Sequence, residues 1–148
     1  MVRAGLEETE VARVLPPLAR ARLETGDSSG ARELIEQAVR RARSSGDRIG
    51  LIEALIVEGV SRARAGLRGD AQAAFSEAVV LAEPIPYPYG TARALYEWGV
   101  ALLDWNHPEA AGPKLEKALR AFQKLGARGY VERTERALAA LPALSPDG

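Results

Sequence analysis

Positions of one size class recur every 40 residues along this chain. Leu15, Leu55 and Leu95 form one such column, Ala19, Gly59 and Gly99 a second, and Ala31, Ala71 and Ala111 a third. Ile35, Phe75 and Leu115 form a fourth, and Ala38, Ala78 and Ala118 a fifth. A period of this length marks supersecondary units that bury their apolar faces on one another. A sixth column, Gly26, Gly66 and Asn106, holds only the two residue types that most easily adopt positive φ, so it is a turn following a helix.

Inside a unit the apolar spacing is helical. Leu95, Trp98, Gly99 and Leu102 recur at three and four residues, and so do Ala111, Leu115, Ala118, Leu119 and Phe122. Each unit therefore reads as two helices. The first ends at the Gly or Asn column, and the second opens near Asp27, Asp70 or Pro108, residues suited to an N-cap or a first turn. Helices joined this tightly must run antiparallel, and the small columns mark where their axes approach closely. The expected fold is all-α, an α-solenoid of antiparallel hairpins spanning about 11–43, 51–83 and 91–123 within an array over 11–141.

Three connecting segments of equal length separate the units: SSGDRIG (44–50), PIPYPYG (84–90) and KLGARGY (124–130). Pro84, Pro86 and Pro88 alternate with Ile85, Tyr87 and Tyr89, which predicts a stiff, extended spacer. Backward projection of the period places 4–10 on a linker and makes 1–10 an N-terminal edge, as if the chain were cut from a longer array. Pro16 and Pro17 fall inside the projected first helix, which predicts a start or a break near Leu15. Forward projection makes 130–141 a capping helix, with Val131, Ala137, Leu138 and Leu141 inward and Glu132, Arg133, Glu135 and Arg136 outward. The segment 142–148 reads as a flexible tail. Trp98 fits the hairpin interface, whereas Trp105 reads as a residue near a helix end that could be exposed.

Composition narrows the chemistry. The 148 residues are 47% hydrophobic and 27% charged, as in one ordinary globular domain. Twenty basic residues balance twenty acidic ones, which removes the field that nucleic acid or an anionic membrane surface would require. The chain has no cysteine, no apolar leader and no run approaching the ~20 apolar residues of a membrane span, so a cytoplasmic setting is expected. His107, the one histidine, lies in the turn WNHPEA without a second ligand or a nucleophile beside it. Glu7, Glu8 and Glu10 read as a solvated acidic run. The tripeptide Arg68, Gly69 and Asp70 is a chance match to an adhesion motif, with Asp70 expected to cap a helix. There is no phosphate-binding loop. The expectation is a protein that is not an enzyme and has no cofactor and no metal.

Leu95-x2-Trp98-Gly99-x2-Leu102 followed by Ala111-x3-Leu115-x2-Ala118 resembles the tetratricopeptide (TPR) signature, and Ala71-x3-Phe75-x2-Ala78 repeats its second half. The resemblance covers 11–141 and departs from the standard repeat in length, 40 residues here against about 34. More narrowly, the stretch from PYPYGTARALYEWGVALL to LEKALRAFQKLGARGYVERTERAL resembles the C-terminal arrays of large bacterial signal-transduction ATPase and LuxR-type regulators. That likeness implies a protein-binding scaffold, a regulatory or oligomerisation arm of a larger signalling or transcription protein. The alternative is a sensing domain that holds a small molecule or peptide in a concave groove. By the same likeness the groove is lined by Glu53, Ile56, Val57, Val60 and Arg64 of the second unit and Arg93, Tyr96, Glu97, Val100 and Asp104 of the third. Such an amphipathic lining suits a protein or peptide partner, with Tyr96 as its expected anchor. The apolar edge of the first unit is a further expected surface, for a second copy of the chain.

Overall fold

A computed structural model describes residues 2–142, with side chains from Ala12 onward; Met1 and 143–148, most of the expected tail, lie outside the described residues. The described chain is all-α, with seven helices and no strand. They are α1 (Val2–Glu24), α2 (Ser28–Ser45), α3 (Arg48–Arg64), α4 (Arg68–Ala82), α5 (Pro88–Asp104), α6 (Pro108–Leu125) and α7 (Arg128–Ala139). Each helix packs on the next, and α3 also touches both α1 and α5.

The 40-residue register extends to the backbone. The turns inside the hairpins close with N–H groups of Asp27, Leu67 and His107 donating to the carbonyls of Arg22, Arg62 and Leu102, at 2.9, 2.9 and 2.8 Å. Gly26, Gly66 and Asn106 hold φ of 85°, 80° and 64° there, the left-handed geometry that ends a helix with its last carbonyls satisfied. Asp27 then caps α2 by accepting from the Gly30 N–H at 3.0 Å, and Asp47 caps α3 through Gly50 at 2.9 Å. Leu67 and His107 take the same N-cap place without a side-chain bond, and Pro108 begins α6. Asp70 therefore is not the cap of α4. It lies in the first turn, 3.5 Å from the Arg62 guanidinium.

The connections between hairpins are shorter than expected, because α3, α5 and α7 begin inside them. Gly46 and Gly126 turn the chain in two of the three with φ near 70°. Pro86 stands at the equivalent place in the middle one, and its ring holds φ negative. There α4 stops at Ala82, a turn earlier than α2 and α6, and 83–86 fold into consecutive turns instead of the expected extended spacer. The closing bond survives: Tyr87 N–H donates to Ala82 O at 2.9 Å, in register with Asp47 to Ala42 and Ala127 to Phe122.

At the N-terminal end the expectation of a linker over 4–10 and a break near Leu15 is overturned. Helix α1 runs without interruption from Val2 through Pro16 and Pro17 to Glu24. Two prolines remove two helical N–H donors. Burial of Leu15, Ala19 and Leu23 against neighbouring helices holds the segment helical in spite of that loss.

The small columns do what their size implies. A Cβ built on Gly59 would stand 2.6 Å from Phe75 Cδ1, and one on Gly99 would stand 2.7 Å from Leu115 Cδ2. Ala31, Ala71, Ala111, Phe75, Phe122 and Leu115 are fully buried. Trp98 stacks on Phe75, centroid to centroid 6.3 Å, beneath the Lys114 ammonium. Trp105 is buried, not exposed, with the Arg68 guanidinium over its ring, because the turn at Asn106 folds it back onto the core. In α7 Val131, Ala137 and Leu138 pack inward, as does Leu141 just beyond its end, and Glu132, Arg133, Glu135 and Arg136 face water. Among the described residues no helix is long and apolar enough to cross a membrane.

Candidate functional site

Helices α1, α3 and α5 present one common face, and two concavities open on it. The larger, about 510 Å³, is walled by Pro16, Pro17, Ile49 and Val57 and rimmed by Arg13, Arg20, Glu53, Tyr87 and Arg93. The smaller, about 130 Å³, has Val60, Ala63, Phe75, Val100 and Trp105 as its apolar lining and Arg20, Arg64, Glu97 and Asp104 around them. Arg20 belongs to both and stands between them.

Ion pairs tie the three helices together across this face. Arg20 of α1 reaches over Val60 of α3 to Glu97 of α5 at 2.6 Å, and also binds Glu24 at 2.8 Å. Arg64 of α3 binds Glu24 at 2.7 Å and donates to the Leu23 carbonyl at 3.3 Å. Arg93 of α5 pairs with Glu53 of α3, whose other oxygen accepts from the Tyr87 hydroxyl at 2.7 Å. Burial by itself would lower the Arg93 and Arg20 pKa values; the carboxylates of Glu53 and Glu97 outweigh it, and both are raised. Burial, reinforced by the bond to Glu53, pushes the Tyr87 phenol up as well. Hydrogen bonds from Arg20 and Arg64 hold the Glu24 carboxyl below its ordinary value. The result is a face of near-neutral charge, with fixed charges at its rim and apolar walls between them. It can accept an amphipathic chain through apolar contact and hydrogen bonds.

The structure brings together most of the residues that the sequence singled out. Glu53, Val57 and Arg93 line the larger concavity, and Val60, Arg64, Glu97, Val100 and Asp104 the smaller. Two do not belong. Ile56 is fully buried among Leu55, Ala78 and Ala82 and is core. Tyr96 points to the α7 side, where its ring meets Tyr130 edge-on with centroids 5.8 Å apart, so it anchors the cap and lines neither concavity. Both sit a short way around their helices from residues that do face the groove, and helical spacing cannot resolve that rotation without the neighbouring helices.

Sequence reasoning missed Arg13, Pro16, Pro17, Arg20, Glu24 and Tyr87. A signal existed for two of them. Arg13 shares the column of Glu53 and Arg93, and Glu24 that of Arg64 and Asp104, with charge alternating along each column. The two prolines concealed it by making α1 look interrupted. Nothing in the register marks Arg20, whose column otherwise holds Val60 and Val100.

This is an all-α protein of sequentially packed helices with a 40-residue internal register and an amphipathic face on its first, third and fifth helices. No family model matches the chain, and no curated protein matches it.

Proposed function

We propose that the chain is a TPR-like α-solenoid module that binds an extended or helical segment of another polypeptide along the α1, α3 and α5 face. By its sequence resemblance it is a regulatory arm of a larger bacterial signalling or transcription protein, working in the cytoplasm. The observation that carries the reading is the pair of adjacent concavities flanking Arg20. Apolar walls there alternate with charges from three helices, an arrangement suited to a main chain with side-chain anchors. A second reading is favoured by the size of the larger concavity, about 510 Å³, which falls within the range of roughly 300–1,000 Å³ typical of small-ligand pockets. In that reading the module senses a small molecule.

Peptides selected from a random displayed library against the folded chain test the first reading. Amide shifts induced by a selected peptide are expected at residues 13–24, 53–64 and 93–104, and Arg13→Glu with Arg93→Glu should abolish binding. Shifts confined to other helices would sink it. A metabolite screen by thermal unfolding separates the second reading, since only a ligand of the folded state raises the melting temperature.

A further inference from the structure

Helices α1, α2, α3, α6 and α7 each carry a basic side chain in the last turn, where it answers the partial negative charge of the unpaired carbonyls. Helix α5 carries none and ends instead on Asp104. Glu24 closes α1 in the same column of the register, but Arg20 and Arg64 donate to it at 2.8 and 2.7 Å. No ion pair reaches Asp104 among the described residues, and 143–148 holds no basic residue. Arg3 lies near the opposite end of α1, about 30 Å along its axis from Glu24. An acid at a helix C-terminus with nothing to answer it breaks a local rule, and such breaks are expected at functional sites.

Asp104 stands on the rim of the smaller concavity. Arg20 and Arg64 are the cations there, and Glu24 and Glu97 already neutralise them, so Asp104 leaves the concavity with one negative charge to spare. Helices α1, α3 and α5 end around it, at Glu24, Arg64 and Asp104, and their C-terminal dipoles add to the negative potential. Below the rim the walls are apolar, with Val60, Val100 and Trp105 among them. At about 130 Å³ the space is well under the roughly 300–1,000 Å³ of small-molecule pockets, and it suits a single side chain. An apolar well beneath an anionic rim matches a side chain with an alkyl stem and a cationic head.

We propose that the smaller concavity is a subsite for a lysine or arginine side chain of the bound polypeptide, its stem on Val60, Val100 and Trp105 and its charged head paired with Asp104. The assignment rests on the reading of this face as a peptide-binding groove, and it adds the charge that the partner must carry there. An acidic side chain is rejected, since it would meet Asp104 with no cation left to pair with it.

N-acetyl-lysine N-methylamide is the minimal probe, with the norleucine analogue as its uncharged counterpart. Titrated into the full chain, the lysine probe should shift the amides of Ala63, Val100 and Ala101 and the Trp105 indole saturably, and the norleucine probe should bind more weakly. Asp104→Asn should weaken the lysine probe by about fivefold and reduce the salt dependence of its binding. Glu116→Gln, which removes the same charge from an exposed position on α6, should leave binding unchanged. Thermal unfolding checks that Asp104→Asn folds, and its midpoint should match the parent or rise, because the lost acid opposes the helix dipole. In peptides selected on the groove, replacing one Lys or Arg by norleucine should cost about the same factor as Asp104→Asn, and the two changes together no more than either alone. Peptides that shift only other helices remove the groove reading, and the lysine probe then still decides the subsite. Groove-bound peptides whose affinity ignores Asp104→Asn, or a lysine probe that binds no better than norleucine, overturn the subsite alone.

Discussion

The missing Cβ of Gly59 on α3 is space taken by the ring of Phe75 on α4, whose Cδ1 lies 2.6 Å from where that carbon would stand. Phe75 is fully buried and stacked on Trp98, so its ring has nowhere to withdraw. Gly59→Ala should therefore destabilise the fold by about 1–3 kcal/mol through overpacking, even though alanine is worth ~1 kcal/mol more than glycine in a helix. Gly69 in the first turn of α4 has nothing within 4 Å, so Gly69→Ala should stabilise by up to ~1 kcal/mol. Denaturant unfolding of the two variants reads both signs. A stabilising Gly59→Ala would mean the hairpin is looser than drawn.

Glu24 should titrate below its ordinary value of 4.5, first because Arg20 donates to it and next because Arg64 does. A carboxyl with a lowered folded pKa adds stability above its unfolded pKa, and that contribution is lost as pH falls through the folded value. Carbon-detected titration of the Glu24 carboxyl should show the low value in the parent chain. In Arg20→Ala with Arg64→Ala it should move back up to its ordinary value. No change on removing both arginines would mean the pairs do not persist in solution.

At the alkaline end Tyr87, Tyr89 and Tyr96 are all raised above 10.0, in each case chiefly by burial; Glu53, Tyr130 and Glu97 respectively add to it. The sign is the reverse of the carboxylate case. A raised phenol contributes stability that is whole below pH 10 and is lost as pH climbs through the folded value. The tyrosinate absorbance should therefore rise late and merge with alkaline unfolding. Tyr87→Phe should take away the component with the largest shift. Ionisation of every tyrosine at its ordinary value would refute the packing around Glu53 and Tyr130.

Pro86 replaces the left-handed glycine found at 46 and 126, and Pro84, the next residue due to donate after Glu83, has no N–H, so the two prolines together are expected to end α4 early. Pro84→Ala with Pro86→Gly should let α4 continue to about residue 85, as α2 and α6 continue to Ser45 and Leu125. Secondary chemical shifts of 83–85 would move to helical values. If they stay as turns, packing of Tyr87 and not the prolines ends the helix.

The hairpin frame was legible from the chain alone, because its causes are local. Gly26, Gly66 and Asn106 occupy positions of positive φ, and the small residues at 59 and 99 face the large ones at 75 and 115, as spacing implied. These depend on neighbours a fixed distance along the chain. Rotation of Ile56 into the core, of Tyr96 toward α7 and of Trp105 under Arg68 depends on helices 20 to 40 residues away, which periodicity places but does not orient. The prolines mark the same limit from the other side: local preference would break α1 at Pro16, and burial of Leu15, Ala19 and Leu23 keeps it whole. Sequence by itself determined the repeat, its turns and its small contacts, since backbone sterics and residue size act at fixed spacing. Only the tertiary structure decided that Arg20 reaches Glu97 across α3 and that Glu53 pairs with Arg93 and Tyr87 at once, since both follow from how whole helices stack.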